Sequence, residues 1–128
     1  MLARGGGRAI RMLNKALEPH HLRARQHSAL TASAETGGLS QRQLAELLGL
    51  EPSAVVALVD ELERAGLVQR EAHPTDRRTR LVAITPRGRA VLRETAEAVH
   101  RVNDALLTSL SPTEREDLIG LLTRVALE

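Results

Sequence analysis

The sequence predicts a mainly α-helical chain carrying one small β-hairpin, and three observations predict it. Aliphatic residues recur at spacings of three and four in six separate segments, the signature of helices with one buried stripe. Two β-prone runs, Leu67–Glu71 and Arg80–Ile84, flank the polar loop His73-Pro74-Thr75-Asp76-Arg77-Arg78-Thr79, the pattern of a hairpin. Helix-start signals, Ser40 with Gln43, Thr85-Pro86 and Ser111-Pro112-Thr113-Glu114, divide the chain at regular places. Two helices joined by a tight turn and followed by a hairpin, within Ser40–Thr85, spell a winged helix-turn-helix. The flanking helices, 8–34 and 86–128, are expected to carry this DNA-binding lobe at 40–85 or, as dimerisation helices, to pair it with a second copy.

In chain order, residues 1–7 contain Gly5-Gly6-Gly7 and little to bury, so a flexible tail is expected. Arg8–Leu17 carries Ile10, Leu13 and Leu17 on one stripe, and Glu18-Pro19 ends it. His20–Ala34 reads as a second helix with Leu22, Ala29 and Leu30 inward, broken by Thr36-Gly37-Gly38. The capping box Ser40/Gln43 starts a helix at Gln41, with Leu44, Leu47 and Leu48 inward. Gly49 then permits the turn. From Pro52 to about Ala65, Val55, Leu58, Val59 and Leu62 mark the buried face of the recognition helix. A long helix is expected over Pro86–Leu110, with Val91, Val99, Val102, Leu106 and Leu110 along its apolar side. A last one carries Leu118, Ile119, Leu122 and Val125. No internal repeat or second domain is visible in the 128 residues.

Composition excludes several functions. With 42% hydrophobic residues and no Phe, Tyr or Trp, the core must be aliphatic, and bases cannot stack on aromatic platforms. No cysteine means no disulfide, thiolate chemistry or cysteine-held zinc. No apolar run approaches a membrane span, which leaves the cytoplasm as the expected location and no membrane as a partner. Net charge is only +2, so any case for nucleic acid must come from local charge. No nucleophile–base pair or phosphate loop is present, and no enzyme is expected. His20, His21, His27 and His100 lack helical ligand spacing, so neither a metal nor another cofactor is expected.

Asp76-Arg77-Arg78-Thr79-Arg80-Leu81-Val82-Ala83-Ile84-Thr85, Val59-Asp60-Glu61-Leu62-Glu63 with Gly66-Leu67-Val68, and Thr85-Pro86-Arg87-Gly88 together resemble the MarR family of bacterial transcriptional regulators. The likeness spans roughly residues 10 to 128. It implies a ligand-responsive repressor that binds a palindromic operator in double-stranded DNA as a homodimer, the first helix and last two helices intertwining with those of the second copy. It also implies that Arg78 enters the minor groove, oriented by a salt bridge from Asp76. Arg77 and Arg80 add positive charge suited to phosphates.

On the recognition helix the residues facing the major groove are Ser53, Ala54, Val56 and Ala57, more apolar than the family's usual hydroxyl and basic set. Ser53 can hydrogen-bond; Ala54 and Val56 can touch only a thymine methyl or a sugar edge. Each missing bidentate contact forgoes about 1–3 kcal/mol of base discrimination. Gln41, Arg42 and Gln43 stand where a supporting helix holds backbone phosphates, or form an ordinary polar face. Small-molecule effectors, often aromatic acids, are implied between the DNA-binding lobe and the dimer helices. His20, His21, Arg25 and His27 are the candidates there for an aromatic or anionic compound. The alternative is a MarR-like interaction module, or a weak DNA binder, with a degraded recognition helix.

Overall fold

The computed structural model describes residues 1–127. Six helices carry a three-stranded antiparallel sheet. α1 (Leu2–Leu17) passes through a 3-10 turn (Glu18–His20) to α2 (Ala24–Thr36). β1 (Leu39–Ser40), α3 (Gln41–Leu48), α4 (Pro52–Arg64), β2 (Val68–Ala72) and β3 (Arg80–Ile84) follow, then α5 (Pro86–Leu106) and α6 (Pro112–Leu127).

The helix-turn-helix forms for the reasons visible in its residues. Ser40 Oγ accepts from Gln43 N at 3.1 Å while Gln43 Oε1 accepts from Ser40 N at 2.9 Å, so both orphan amides at the start of α3 are satisfied. Gly49 (φ +64°) supplies the left-handed residue that ends α3, and Pro52 opens α4. The stripe Val55, Leu58, Val59 and Leu62 is buried against Leu17, Leu30, Leu44, Val68 and Val82, an aliphatic core throughout.

Four boundaries differ from the sequence reading. The sheet has a third strand, because Leu39 and Ser40 pair with Val82 and Leu81 of β3; two residues are too short to show a period of two. α2 starts at Ala24 rather than His20. Pro19 lies in the 3-10 turn, His21 takes a left-handed conformation (φ +55°), and Asn14 Oδ1 accepts from Ala24 N at 2.8 Å at the start of the helix. α1 runs back to Leu2 through the three glycines, since adding residues to a formed helix costs far less than nucleating one. α5 ends at Leu106, four residues early, and Arg115 Nε donates to the carbonyls of Leu107 and Leu110 at 3.2 and 3.3 Å.

The passage from the hairpin to α5 is tightly built. Thr85 Oγ1 donates to Gly66 O at 2.6 Å and accepts from Gly88 N at 3.0 Å, joining the end of α4 to the start of α5. Gly88 packs directly on the Leu67 carbonyl, where a Cβ would also stand 2.6 Å from Ile84 Cγ1. The Gly88→Ala variant is therefore expected to lose about 1–3 kcal/mol of stability to overpacking against backbone that cannot yield. Urea unfolding of the two proteins side by side measures it.

Candidate nucleic-acid interface

The interface is assembled from α3, α4 and the β2–β3 hairpin. Burial of Val55, Leu58, Val59 and Leu62 turns Ser53, Val56, Ala57, Asp60 and Arg64 outward on α4. Ser53 and Ala57 are exposed, and Val56 is 40% exposed. Ala54 stands to one side of this face. With Ala57, Leu58 and Glu61 it forms one wall of a groove of about 510 Å³, whose other walls come from α1 (Ile10, Asn14) and α2.

Arg70 of β2 holds this surface together, a residue the sequence did not single out. Its guanidinium donates to Gln41 Oε1 of α3 at 2.9 and 3.1 Å, and to Asp60 Oδ1 at 2.7 Å and Glu63 Oε1 at 3.0 Å, both of α4. Glu63 Oε2 also accepts from the Arg70 amide at 3.1 Å. One side chain thus ties strand, supporting helix and recognition helix. Two carboxylates that would repel phosphate are engaged by the same cation. No local spacing reveals this; Arg70 and Gln41 are 29 residues apart. Arg64 was also missed, although the helical period alone places it on the outward face with Ser53 and Asp60.

At the hairpin tip, Arg77, Arg78 and Arg80 are all exposed. Among the described residues none of these guanidiniums forms an ion pair. The expected salt bridge from Asp76 to Arg78 is absent. Asp76 instead accepts from the Thr79 hydroxyl at 2.8 Å and the Arg78 backbone amide at 3.0 Å. A carboxylate two residues before an amide closes a turn more readily than it reaches the flexible end of that residue's guanidinium. These two hydrogen bonds, Thr79 first, hold the Asp76 carboxyl below its ordinary range. His73 Nδ1 accepts from the amides of Thr75 and Asp76, both at 3.1 Å, completing the turn.

The supporting-helix candidates divide. The side-chain carbonyl of Gln41 is taken by Arg70 and that of Gln43 by the cap. Arg42 is exposed and lies 3.5 Å from Glu46. The four tentative ligand residues are not brought together. His20 faces a depression between α1 and α5, His21 lies beside Asn14 and Glu18, and Arg25 reaches the groove against α4 with Arg23. His27 is half-buried on α2, and burial lowers its pKa. Gln26, also of α2, reaches Glu61 Oε2 of α4 at 3.3 Å.

A helix turned outward thus stands beside an arginine-tipped hairpin on an aliphatic core. The MarR family model matches residues 22–79. The chain belongs to the MarR family. CouR from Rhodococcus jostii RHA1, solved bound to p-coumaroyl-CoA, is 37% identical, with a TM-score of 0.87 over 98% of this chain and 88% of that one. A mutant MarR of E. coli complexed with operator DNA is 26% identical, with a TM-score of 0.83 over 97% of this chain and 89% of that one. A protein assigned to transcriptional regulation of the hcr operon in Thauera aromatica is 38% identical over 99 residues, 77% of this chain; the match spans 60% of that relative's length. The chain thus has the fold of the MarR-type transcriptional regulators. No helix among the described residues is long and apolar enough to cross a membrane.

Two outcomes follow for this MarR-family lobe. Arg70→Met should lower stability by roughly 1–2 kcal/mol, a modest figure because the clamp is partly exposed, and should weaken DNA binding by more than that loss explains. Urea unfolding and duplex titration, run on one preparation, separate the two effects. For His27, the unfolded chain binds the proton more tightly than the fold does. Its contribution is therefore neutral above the ordinary value of 6.5 and destabilising as pH falls below it. His27→Gln should flatten the fall in melting temperature between about pH 6.5 and 5.

Proposed function

We propose that this protein is a homodimeric, ligand-responsive repressor that binds a palindromic operator. The observation that carries DNA binding is the set of three unpaired arginines, Arg77, Arg78 and Arg80, on a hairpin braced from within by Asp76. Because Asp76 spends its oxygens on the turn, the guanidiniums keep their donors free for phosphate and for the minor groove, where Arg78 is assigned. Ser53, Val56 and Ala57 take the major groove, and Arg42 and Arg64 lie where backbone phosphates would pass.

The dimer rests on α6. Ile119, Leu121, Leu122 and Val125 are 45–64% exposed, an apolar surface that its own chain leaves uncovered. A second copy of the same helix covers it with self-complementary chemistry, as a two-fold interface requires. Arg115 fixes how α6 leaves the body: besides the two carbonyls of the α5 end, it reaches Asp104 at 3.0 Å. The effector belongs in the groove beside α4. Arg23 and Arg25 at its rim suit a carboxylate or phosphate, and Ile10, Ala24, Ala54 and Leu58 suit an apolar or aromatic body. An acyl-CoA such as the p-coumaroyl-CoA held by CouR has both parts. A ligand there bears on the recognition helix itself. In a dimer, a small shift of that helix breaks the spacing of about 34–36 Å between successive major grooves.

The test is a titration of the duplex upstream of the protein's own gene at several salt concentrations, with sedimentation of the free protein. A dimer is expected, with affinity falling steeply with salt, strongly reduced in Arg78→Ala and relieved by p-coumaroyl-CoA. Ile119→Glu should yield monomer with the lobe still folded. Absence of binding even at low salt would favour a protein-interaction module.

A further inference from the structure

The reading face of α4 is short of hydrogen-bonding groups, and the structure shows why. Of the side chains turned outward over its first two turns, Pro52, Val56 and Ala57 carry none. Asp60 is a carboxylate, which phosphate repels, and its Oδ1 is drawn to Arg70 at 2.7 Å, with Glu63 engaged by the same guanidinium at 3.0 Å. Over those turns Ser53 is left as the hydrogen-bonding side chain of the face, Arg64 lying at the far end of the helix. A hydroxyl both donates and accepts, so it pairs with any base edge and selects none. Meanwhile Val56, a branched aliphatic residue, remains 40% exposed between Ser53 and the cleft against α3. Base edges in the major groove present one apolar group, the C5 methyl of thymine.

We propose that Val56, with Ala57 beside it, determines operator sequence by packing against thymine methyl groups, in place of bidentate hydrogen bonds. This rests on the DNA-binding reading above and names what that surface selects. The wing arginines and Ser53 hold the helix at the duplex, and Val56 supplies preference. Each thymine methyl buried against it is worth about fourfold in affinity, the transfer of one carbon out of water. The operator half-sites should accordingly be rich in thymine at the steps facing α4.

The experiment begins with selection from duplexes randomised over their central base pairs. The bound sequence is then resynthesised with deoxyuridine replacing thymidine in the half-sites, which deletes the methyl and leaves every hydrogen-bonding group. Dissociation constants are measured at one salt concentration for the protein and for Val56→Ala, an exposed and hence foldable variant. The protein should bind the uracil duplex about fourfold more weakly for each contacted methyl. Val56→Ala should bind the two duplexes nearly alike, and Ser53→Ala should weaken both equally. Equal binding of the two duplexes by the unaltered protein overturns the proposal, as does a full thymine preference in Val56→Ala. Salt-dependent binding with no sequence enriched also overturns it while leaving DNA binding intact. No binding at low salt overturns both.

Discussion

The Arg70 clamp is the interaction on which the working surface depends. An aliphatic core gives α4 most of its stability, but apolar packing has no direction, and Val55, Leu58, Val59 and Leu62 would tolerate a small rotation of the helix. A helix that reads base edges cannot tolerate one, because a small rotation carries its outward residues off the groups they touch. Directional contacts solve this. One planar guanidinium, held between Gln41, Asp60 and Glu63, fixes the angle of α4 against α3 and against the sheet. The clamp is only partly exposed, 22% at the Arg70 side chain, so water competes for it less than for a surface pair.

The same economy of charge shapes the wing. An aspartate among three arginines looks, in sequence, like an ion-pair partner. In the structure it is a turn former, and the difference matters electrostatically. A guanidinium paired with Asp76 would arrive at the duplex half-neutralised and would have to exchange partners. With the carboxylate bonded to the Thr79 hydroxyl and the Arg78 amide, no guanidinium of the hairpin has to leave Asp76 to reach a phosphate. Thr85 and Gly88 then tie the hairpin to its neighbouring helices. The hydroxyl of Thr85 spans Gly66 and Gly88, and the bare Cα of Gly88 rests on Leu67, so hairpin, α4 end and α5 start move together.

What the sequence revealed followed from local rules. The caps at Ser40 and Ser111, the Gly49 turn, the Val55–Leu62 stripe and the strand at Arg80–Ile84 each arise within a few residues, and each stands where periodicity and capping put it. Most of the misses are tertiary, whereas the Asp76 turn and the outward place of Arg64 are local and were misread. β1 is a strand only because Val82 lies beside Leu39. The start of α2 depends on Asn14 reaching Ala24 from the preceding helix. Arg70 looked like one charged residue in an edge strand until the fold put Gln41 next to it. Nearness in sequence placed the candidate ligand residues His20, His21 and Arg25 together, but a 3-10 turn and a left-handed residue set them at different depressions of the chain, with Arg25 at the groove against α4.

The position of the groove against α4 constrains how any ligand could act. Gln26 of α2 touches Glu61 of α4 at 3.3 Å across its rim, while Asp60 and Glu63, the neighbours of Glu61 on the helix, are held by Arg70. A force applied at Ala54 or Glu61 therefore cannot turn α4 alone without breaking the clamp, which costs several charge-assisted hydrogen bonds. The Gln26 contact is a single bond between exposed groups and yields first. The core shared by Leu17 of α1, Leu30 of α2 and Val55 of α4 then limits any shift of α3, α4 and the hairpin to a small one. In the regulator proposed above, a clamp on one side of α4 and a weak contact on the other would favour control by position over distortion.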